Sequence, residues 1–215
     1  MRLNVFIASG SGLSRRAADT AIIQGRVHIN GFLAKPGQQV ADGDKVTLDN
    51  RAITPVVKTL TVMLNKPVNY VCSRDGQGSK TVYDLLPKQL HILKPVGRLD
   101  KDSSGLLLLT NDGKLANELT HPSFQKTKIY EVILHKSLTT HDKSAIEKGV
   151  MLDDGISHLN LKGEGSNWTV TMQEGRNRQI RRTFTALNYS TRKLHRTDFG
   201  PYSLGSLGIA EYKEL

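Results

Sequence analysis

The 215-residue chain is predicted to be an α+β protein with a mixed, largely antiparallel sheet, and three observations carry that reading. Strand-like runs alternate with hairpin turns over most of its length. The helical stretches stand apart from those runs instead of following each strand in a βαβ rhythm. A short opening segment of about 50 residues has its own helices, turns and strands, and so reads as a separate small unit.

Within that unit, "LNVFIA" begins a short helix, and "LSRRAADTAIIQG" forms a second one. Ser14 is its N-cap, Ala17, Ala18, Ala21 and Ile22 give it an apolar face, and Gly25 ends it. "RVHI" and "FLA" are strands joined by the Asn30-Gly31 turn, a strong hairpin signal. "PGQQVADGDKVTLD" adds a turn and another strand. Residues 51–60 are polar and contain proline, as a linker would. From residue 61 the larger unit runs to 215. "TVMLNKP" is a strand closed by Pro67, and "KTVYDLLP" a short helix ending before Pro87. Leu106 to Thr110 is a buried strand, followed by the helix "GKLANELTH". "KIYEVIL" alternates, with Ile129, Glu131 and Ile133 on one face and Tyr130, Val132 and Leu134 on the other. A helix over "TTHDKSAIEKGV", two strands in "HLNLKGEGSNWTVTMQEG", a basic helix over "RNRQIRRTFTALNY" and a last strand over "TRKLHRTDFG" complete the pattern, before a loose tail.

Lys and Arg outnumber Asp and Glu by 30 to 20, which points to a polyanionic partner. Residues 174–196 hold seven Lys and Arg against one Glu, and that one-sided clustering is the footprint of phosphate contact. The single cysteine, Cys72, can form no internal bridge, so nothing suggests an oxidising compartment. No segment approaches the roughly 18 apolar residues of a membrane span, and no signal peptide is recognisable at the start. A cytoplasmic, monomeric protein without membrane contact is expected.

The chemistry-bearing stretch is "GRLDKDSSGLLLLTNDG", residues 97–113. Asp100 stands at the mouth of the apolar strand, two residues after Arg98. Asp100 and Asp102 lack the His and Cys partners of a metal set, so no metal is expected. Serine-nucleophile elbows, phosphate loops and dinucleotide fingerprints are absent. From the residues alone, Asp100 is either a capping residue of a turn or an ionised base or nucleophile. A nearby guanidinium, from Arg181 or Arg182, would keep it ionised.

Two resemblances narrow this choice. "SRRAADTAIIQGRVHINGFLAKPGQQVADGDKV" resembles the small RNA-binding domain named after ribosomal small-subunit protein four, which implies RNA contacts at Ser14, Arg15, Arg16 and Arg26. "GRLDKDSSGLLLLTNDG", with "MLNKP" before it and "KIYEV" and "EGRNRQIRR" after it, resembles the RNA pseudouridine synthases, in the ribosomal RNA subfamily of the RsuA type. The resemblance implies an isomerase that breaks the glycosidic bond of a uridine, turns the uracil and rejoins it through carbon, with no cofactor and no metal. It places Asp100 as the group that attacks the ribose or assists uracil departure. Tyr130 would lie against the uracil and take a proton, and Arg181 would pair with Asp100. Ile180 would pack on the flipped base, and Arg98 would fill the space that the base vacates. Lys66, Arg176, Arg178 and Arg182 are further RNA contacts on this reading, and His121 is structural. Ser103, where relatives often carry Thr, and Val68-Asn69 in the loop after "NKP" depart from the usual wording. The implied partner is structured ribosomal RNA, with the large subunit favoured by "EGRNRQIRR". The alternatives are small-subunit or transfer RNA as substrate, or a non-catalytic RNA-binding assembly factor. The implied domains are 1–50 for RNA binding and 61–215 for catalysis, joined by a linker.

Overall fold

A computed structural model describes residues 1–54 and 59–215. The chain divides into two units, Met1–Thr59 and Leu60–Leu215.

In the first unit, helices α1 (Leu3–Ser11) and α2 (Arg15–Ile23) pack on a four-stranded antiparallel sheet. Its strands are β1 (Val27–Ile29), β2 (Phe32–Leu33), β3 (Val46–Leu48) and β4 (Arg51–Ala52), in the order β2-β1-β3-β4. Ser14 Oγ accepts the Ala17 amide at 3.1 Å, as expected of an N-cap. Asn30 and Gly31 both take positive φ, 52° and 85°, which a two-residue hairpin turn requires. Leu3, Ile7, Ala18, Ala21, Ile22, Val27, Ile29 and Val46 form the core. The unit extends into the segment expected as a linker. Ala52 pairs with Thr47, the Ile53 amide donates to Val46 O at 2.9 Å, and the Ile53 side chain packs on the core. An apolar residue in that segment is anchored because burial favours it. The rest of the expected linker, residues 55–58, lies outside the described residues.

The second unit is built on a nine-stranded sheet. Its elements in chain order are β5 (Thr61–Lys66), β6 (Lys94–Val96), β7 (Ser104–Thr110), α3 (Gly113–Thr120), β8 (Lys128–Leu134), α4 (Thr140–Lys148) and the hairpin β9 (Val150–Leu152) and β10 (Gly155–Ser157). There follow β11 (Asn160–Glu164), β12 (Asn167–Met172), α5 (Gln179–Ala186), β13 (Thr191–Phe199), β14 (Tyr202–Ser203) and β15 (Tyr212–Glu214). The main path runs β11-β12-β8-β13-β7-β5-β15, with β14 on β13, β6 on β7, and β9 and β10 forming a separate ribbon. Every pairing in the large sheet is antiparallel except β13 with β7, so the expected α+β class and mixed sheet are borne out.

The central strand explains its own sequence. Leu107 and Leu109 enter one core with Val62, Leu64 and Phe184, while Leu106 and Leu108 enter a second with Met63, Leu119 and Phe199. A strand covered on both faces reads as a continuous apolar run. Gly105 begins that run at φ 105°, where a Cβ would stand 2.2 Å from Arg196 O on β13. Only glycine admits this approach and this φ.

Two expectations change. The tail after β13 is not loose: Tyr212–Glu214 pairs with β5 as the sheet's edge strand, and the Leu215 amide donates to Thr61 O at 2.9 Å. The basic helix is shorter than expected, starting at Gln179, because Arg178 before it sits at φ 47°. Among the described residues, no helix is long and apolar enough to cross a membrane.

Candidate active site

Asp100 lies in the turn between Val96 and Ser104, the ends of β6 and β7. The turn is closed by the Ser103 amide donating to Asp100 O at 3.1 Å. A second tie comes from the Asn69 amide to Lys101 O, at 2.6 Å. The third comes from below. Lys66, the last residue of β5, is fully buried, and its Nζ donates to Pro67 O at 3.0 Å, Asp100 O at 3.0 Å and Ser103 O at 2.7 Å. Burial pushes its pKa down, while Cys72, Asp100 and Asp102 nearby act to raise it. Lys66 is therefore no phosphate contact, contrary to expectation. A side chain with no exposed surface holds the loop that carries Asp100.

The carboxylates of this loop meet the start of α5. Arg178 Nη1 and Nη2 donate to Asp102 Oδ1 and Oδ2 at 2.9 and 2.8 Å, a two-pronged pair. Arg178 Nη1 also stands 3.4 Å from Asp100 Oδ2. The Arg178 hydrogen bonds, with Arg181 adding to them, hold the Asp102 carboxyl below the usual carboxylate range. Arg181 takes a different place from the one expected. Its Nη2 donates to Asp102 O at 2.7 Å and to Ser103 Oγ at 3.3 Å, its Nη1 to Thr191 O at 3.1 Å, and its Nε lies 3.3 Å from Asp102 Oδ2. It grips the loop two residues beyond Asp100, and the ion pair to Asp100 itself comes from Arg178. The cause lies in placement: Arg181 is largely buried beneath the loop, whereas Arg178 precedes the helix and reaches the exposed carboxylates.

A cavity of about 510 Å³ opens beside this loop, large enough for a nucleoside. Arg98, Asp100, Tyr130, Arg178 and Ile180 all line it. Tyr130 comes from β8, whose alternation buries it with Val132 and Leu134. Ile180 comes from the buried face of α5. These five and Arg176, picked from three separate segments of the sequence, thus share one cavity. Lys66, Arg181 and Arg182 support its walls from behind, and Ser14, Arg15, Arg16 and Arg26 belong to the other unit. His121 stands at the cavity too, where its ring nitrogen accepts the Ser123 amide at 3.3 Å.

The basic run is less bare than its sequence suggests. Arg176 donates to Asp154 Oδ1 at 2.9 Å and to the carbonyls of Asp154, Gly155 and Ile156 at 3.0, 3.0 and 2.8 Å. Arg182 donates to Asp154 Oδ1 and Oδ2 at 3.1 and 2.7 Å and to Asn177 O at 2.8 Å. Both guanidinium groups therefore fasten the β9–β10 ribbon to α5 and the loop before it, and Arg176 also lines the cavity. Arg26 is paired with Asp49, at 2.7 Å from its Nε, in an ion pair that leaves both side chains about half exposed. Arg15 and Arg16 are exposed in the first turn of α2.

Asp154 and Arg196 lie outside the quoted motifs, and Lys128, the first residue of "KIYEV", does not stand out within its motif. Lys128 Nζ donates to Gln173 O and Glu174 O, each at 3.1 Å, and so ties the loop before α5 to β8. Arg196 had a weaker signal: it shares the inward face of β13 with Leu194, a place where alternation calls for an apolar side chain.

A family model for RNA pseudouridylate synthase matches residues 60–186, and a model of the S4 domain matches residues 1–46. The chain belongs to the RNA pseudouridylate synthase family. It is therefore an isomerase of RNA uridine, and the resemblance in "GRLDKDSSGLLLLTNDG" and its companion segments is borne out. The synthase is 32% identical to an uncharacterised RNA pseudouridine synthase of Aquifex aeolicus, over all of this chain and 90% of that one. It is 37% identical to ribosomal large subunit pseudouridine synthase B of Pseudomonas aeruginosa, over 94% of this chain and 56% of that protein. The Bacillus subtilis protein of the same name is 32% identical over all of this chain and 91% of its own length. Among solved structures, the crystal structure of a pseudouridylate synthase superposes with a TM-score of 0.72 at 34% identity, covering all of this chain and 96% of that one.

Proposed function

We propose that the synthase isomerises a uridine of large-subunit ribosomal RNA to pseudouridine, in the cytoplasm, with Asp100 as its reacting carboxylate. The observation that carries this is the position of Asp100: on a cavity of nucleoside size, with its backbone tied down by Lys66 and its carboxylate within 3.4 Å of Arg178. A reacting group gains from such fixed support. Relatives with 32 to 37% identity that are named for the large ribosomal subunit support the choice of RNA.

In this reading a uridine leaves its stack and enters the cavity, at a cost of a few kcal/mol. Arg98 fills the vacated space, and Ile180 and Tyr130 hold the uracil between them. Asp100 meets the ribose carbon as the glycosidic bond breaks. The uracil turns, a carbon–carbon bond forms, and Tyr130 takes the proton that the new attachment carbon releases. Arg181 acts as a positioning residue through Asp102 and Ser103. The reaction adds and removes no group. Residues 61–215 perform it, while Ser14, Arg15 and Arg16 of the small unit contact RNA backbone.

The test is release of tritium from uracil carbon five in ribosomal RNA taken from a host lacking the gene. Release by the wild type, and none by Asp100→Asn at equal RNA affinity, is the expected result. Tight binding without release by the wild type on large-subunit, small-subunit and transfer RNA would leave a binding module and overturn the proposal.

A further inference from the structure

The cavity contains a positive charge that no carboxylate among the described residues answers. Arg196, on β13, is only 2% exposed. Its Nε donates to Leu106 O at 2.8 Å, and its guanidinium carbon stands 4.7 Å from the centre of the Phe199 ring. Its Nη2 is buried with no hydrogen-bond partner. Among the described residues, Asp100 and Asp102 pair with Arg178, Glu131 with Lys193 and Glu174 with Arg176, while Asp198, on the same strand, accepts the Thr197 hydroxyl at 2.6 Å and makes no ion pair with Arg196. A buried guanidinium with a spare donor and no counter-charge is costly unless something else supplies an acceptor.

Its neighbours indicate where that acceptor comes from. Arg196 is the register partner of Tyr130 on β8, so both side chains stand on the same face of the sheet, and both line the cavity. Lys128, on the same cavity, has only backbone carbonyls as acceptors, and burial together with Arg196 holds its pKa down. This part of the cavity wall is therefore cationic and buried. Arg98, at the same cavity, is exposed and suits a hydrated phosphate; Arg196 does not.

We propose that Arg196 is a catalytic residue that binds the uracil as it leaves the ribose, donating a guanidinium N–H to a ring carbonyl oxygen. The proposal rests on the reading of this cavity as the uridine site. When the bond from ribose to ring nitrogen breaks, its electron pair stays on the uracil and spreads from that nitrogen onto the two ring oxygens. This holds in whichever way Asp100 takes part. The same pair, delocalised to carbon five, then forms the new bond to the ribose carbon; carbon five of the uracil gives up its proton and the freed ring nitrogen gains one. Charge on the oxygens is greatest between the two bonds, and a donor fixed in advance in a buried site stabilises it most there.

The experiment compares wild type with Arg196→Met, Arg196→Gln and Arg196→Lys in single turnover, following loss of the nitrogen-linked nucleoside from RNA by mass spectrometry. Two substrates are used, one with uridine at the target and one with 5-fluorouridine, whose ring bears negative charge more readily. With uridine, Arg196→Met and Arg196→Gln lose on the order of 10²–10³-fold in rate, as for removal of one such donor, at unchanged RNA affinity, and Arg196→Lys loses less. With 5-fluorouridine the deficits shrink by about tenfold or more. Equal deficits for both substrates would mean that Arg196 only holds β7 to β13 through Leu106, and would overturn the proposal. So would a loss that is all in RNA affinity. If the methionine variant does not fold, the lysine and glutamine variants carry the same comparison. A wild type that consumes neither nucleoside would instead overturn the reading of the cavity itself, and this inference with it.

Discussion

The Lys66 ammonium and the Asp100 carbonyl stand 3.0 Å apart, and this bond joins the first strand of the large unit to the turn that carries the reacting carboxylate. A lysine with no exposed surface serves here as a three-pronged backbone clamp, since Pro67 and Ser103 offer it the other two carbonyls.

Lys66→Met keeps the length and apolar stem of the side chain but removes the donor from the Pro67 and Ser103 carbonyls and leaves Asp100 O with only the Ser103 amide. Stability falls by about 2–4 kcal/mol, the scale for orphaned buried polar groups. Urea unfolding measures this. Isomerisation falls further than RNA affinity does, because the clamp orders the Asp100 turn and touches no RNA.

Gly105→Ala places a methyl group 2.2 Å from the Arg196 carbonyl, at a φ of 105° that alanine rarely adopts. The parallel junction of β7 and β13 has to part, at a cost of about 3 kcal/mol or more. A melting curve of the purified variant shows the loss directly, whereas Gly113→Ala, with open space around it, leaves the curve near that of the wild type.

Asp102 gives a pH signature. Its folded pKa is depressed by Arg178, so its contribution to stability is complete above the unfolded value of about 3.9 and is lost as pH falls through the lower folded value. Both side chains are nearly half exposed, so the contribution is about 0.5–1 kcal/mol. Urea midpoints at pH 6 differ between wild type and Asp102→Asn, and the difference shrinks as pH falls below the unfolded value.

Salt dependence separates two kinds of arginine. Arg15→Ala and Arg16→Ala each flatten the plot of log affinity against log salt by about 1, as loss of a phosphate contact does. Arg176→Met leaves that slope unchanged, since its guanidinium is already held by Asp154 and three carbonyls; it lowers the melting temperature instead. A change of slope in Arg176→Met would show that this arginine leaves its protein partners when RNA binds.

Local signals were legible in the sequence. The Ser14 cap, the Asn30-Gly31 turn and the alternation of "KIYEVIL" each depend on residues a few positions apart, and each appears as read. The gathering of Arg98, Asp100, Tyr130 and Ile180 on one cavity followed from motif order, which fixes neighbours in a shared fold. What the sequence hid depends on pairs far apart along the chain. Asp154 neutralises Arg182 across 28 positions, and Arg178, not Arg181, reaches Asp100 across 78. Charge counting sees a basic run; it does not see the acidic residues that distant loops bring to it. Lys66 was read as a surface cation because lysine is almost never fully buried unpaired, and only the three carbonyls around it make the exception reasonable.

The edge strand β15 also sets a schedule for the growing chain. β5 is made early in its unit, yet one flank has no partner until residues 210–215 have been synthesised, about 150 positions later. Contacts of such sequence separation form late, because the loop they close must be paid for first. During translation the backbone amides and carbonyls along that flank of β5 are an open template for a neighbouring chain. Residues 210–215, none of which lines the cavity, cover that template, and a nascent chain stalled before Ala210 is expected to self-associate.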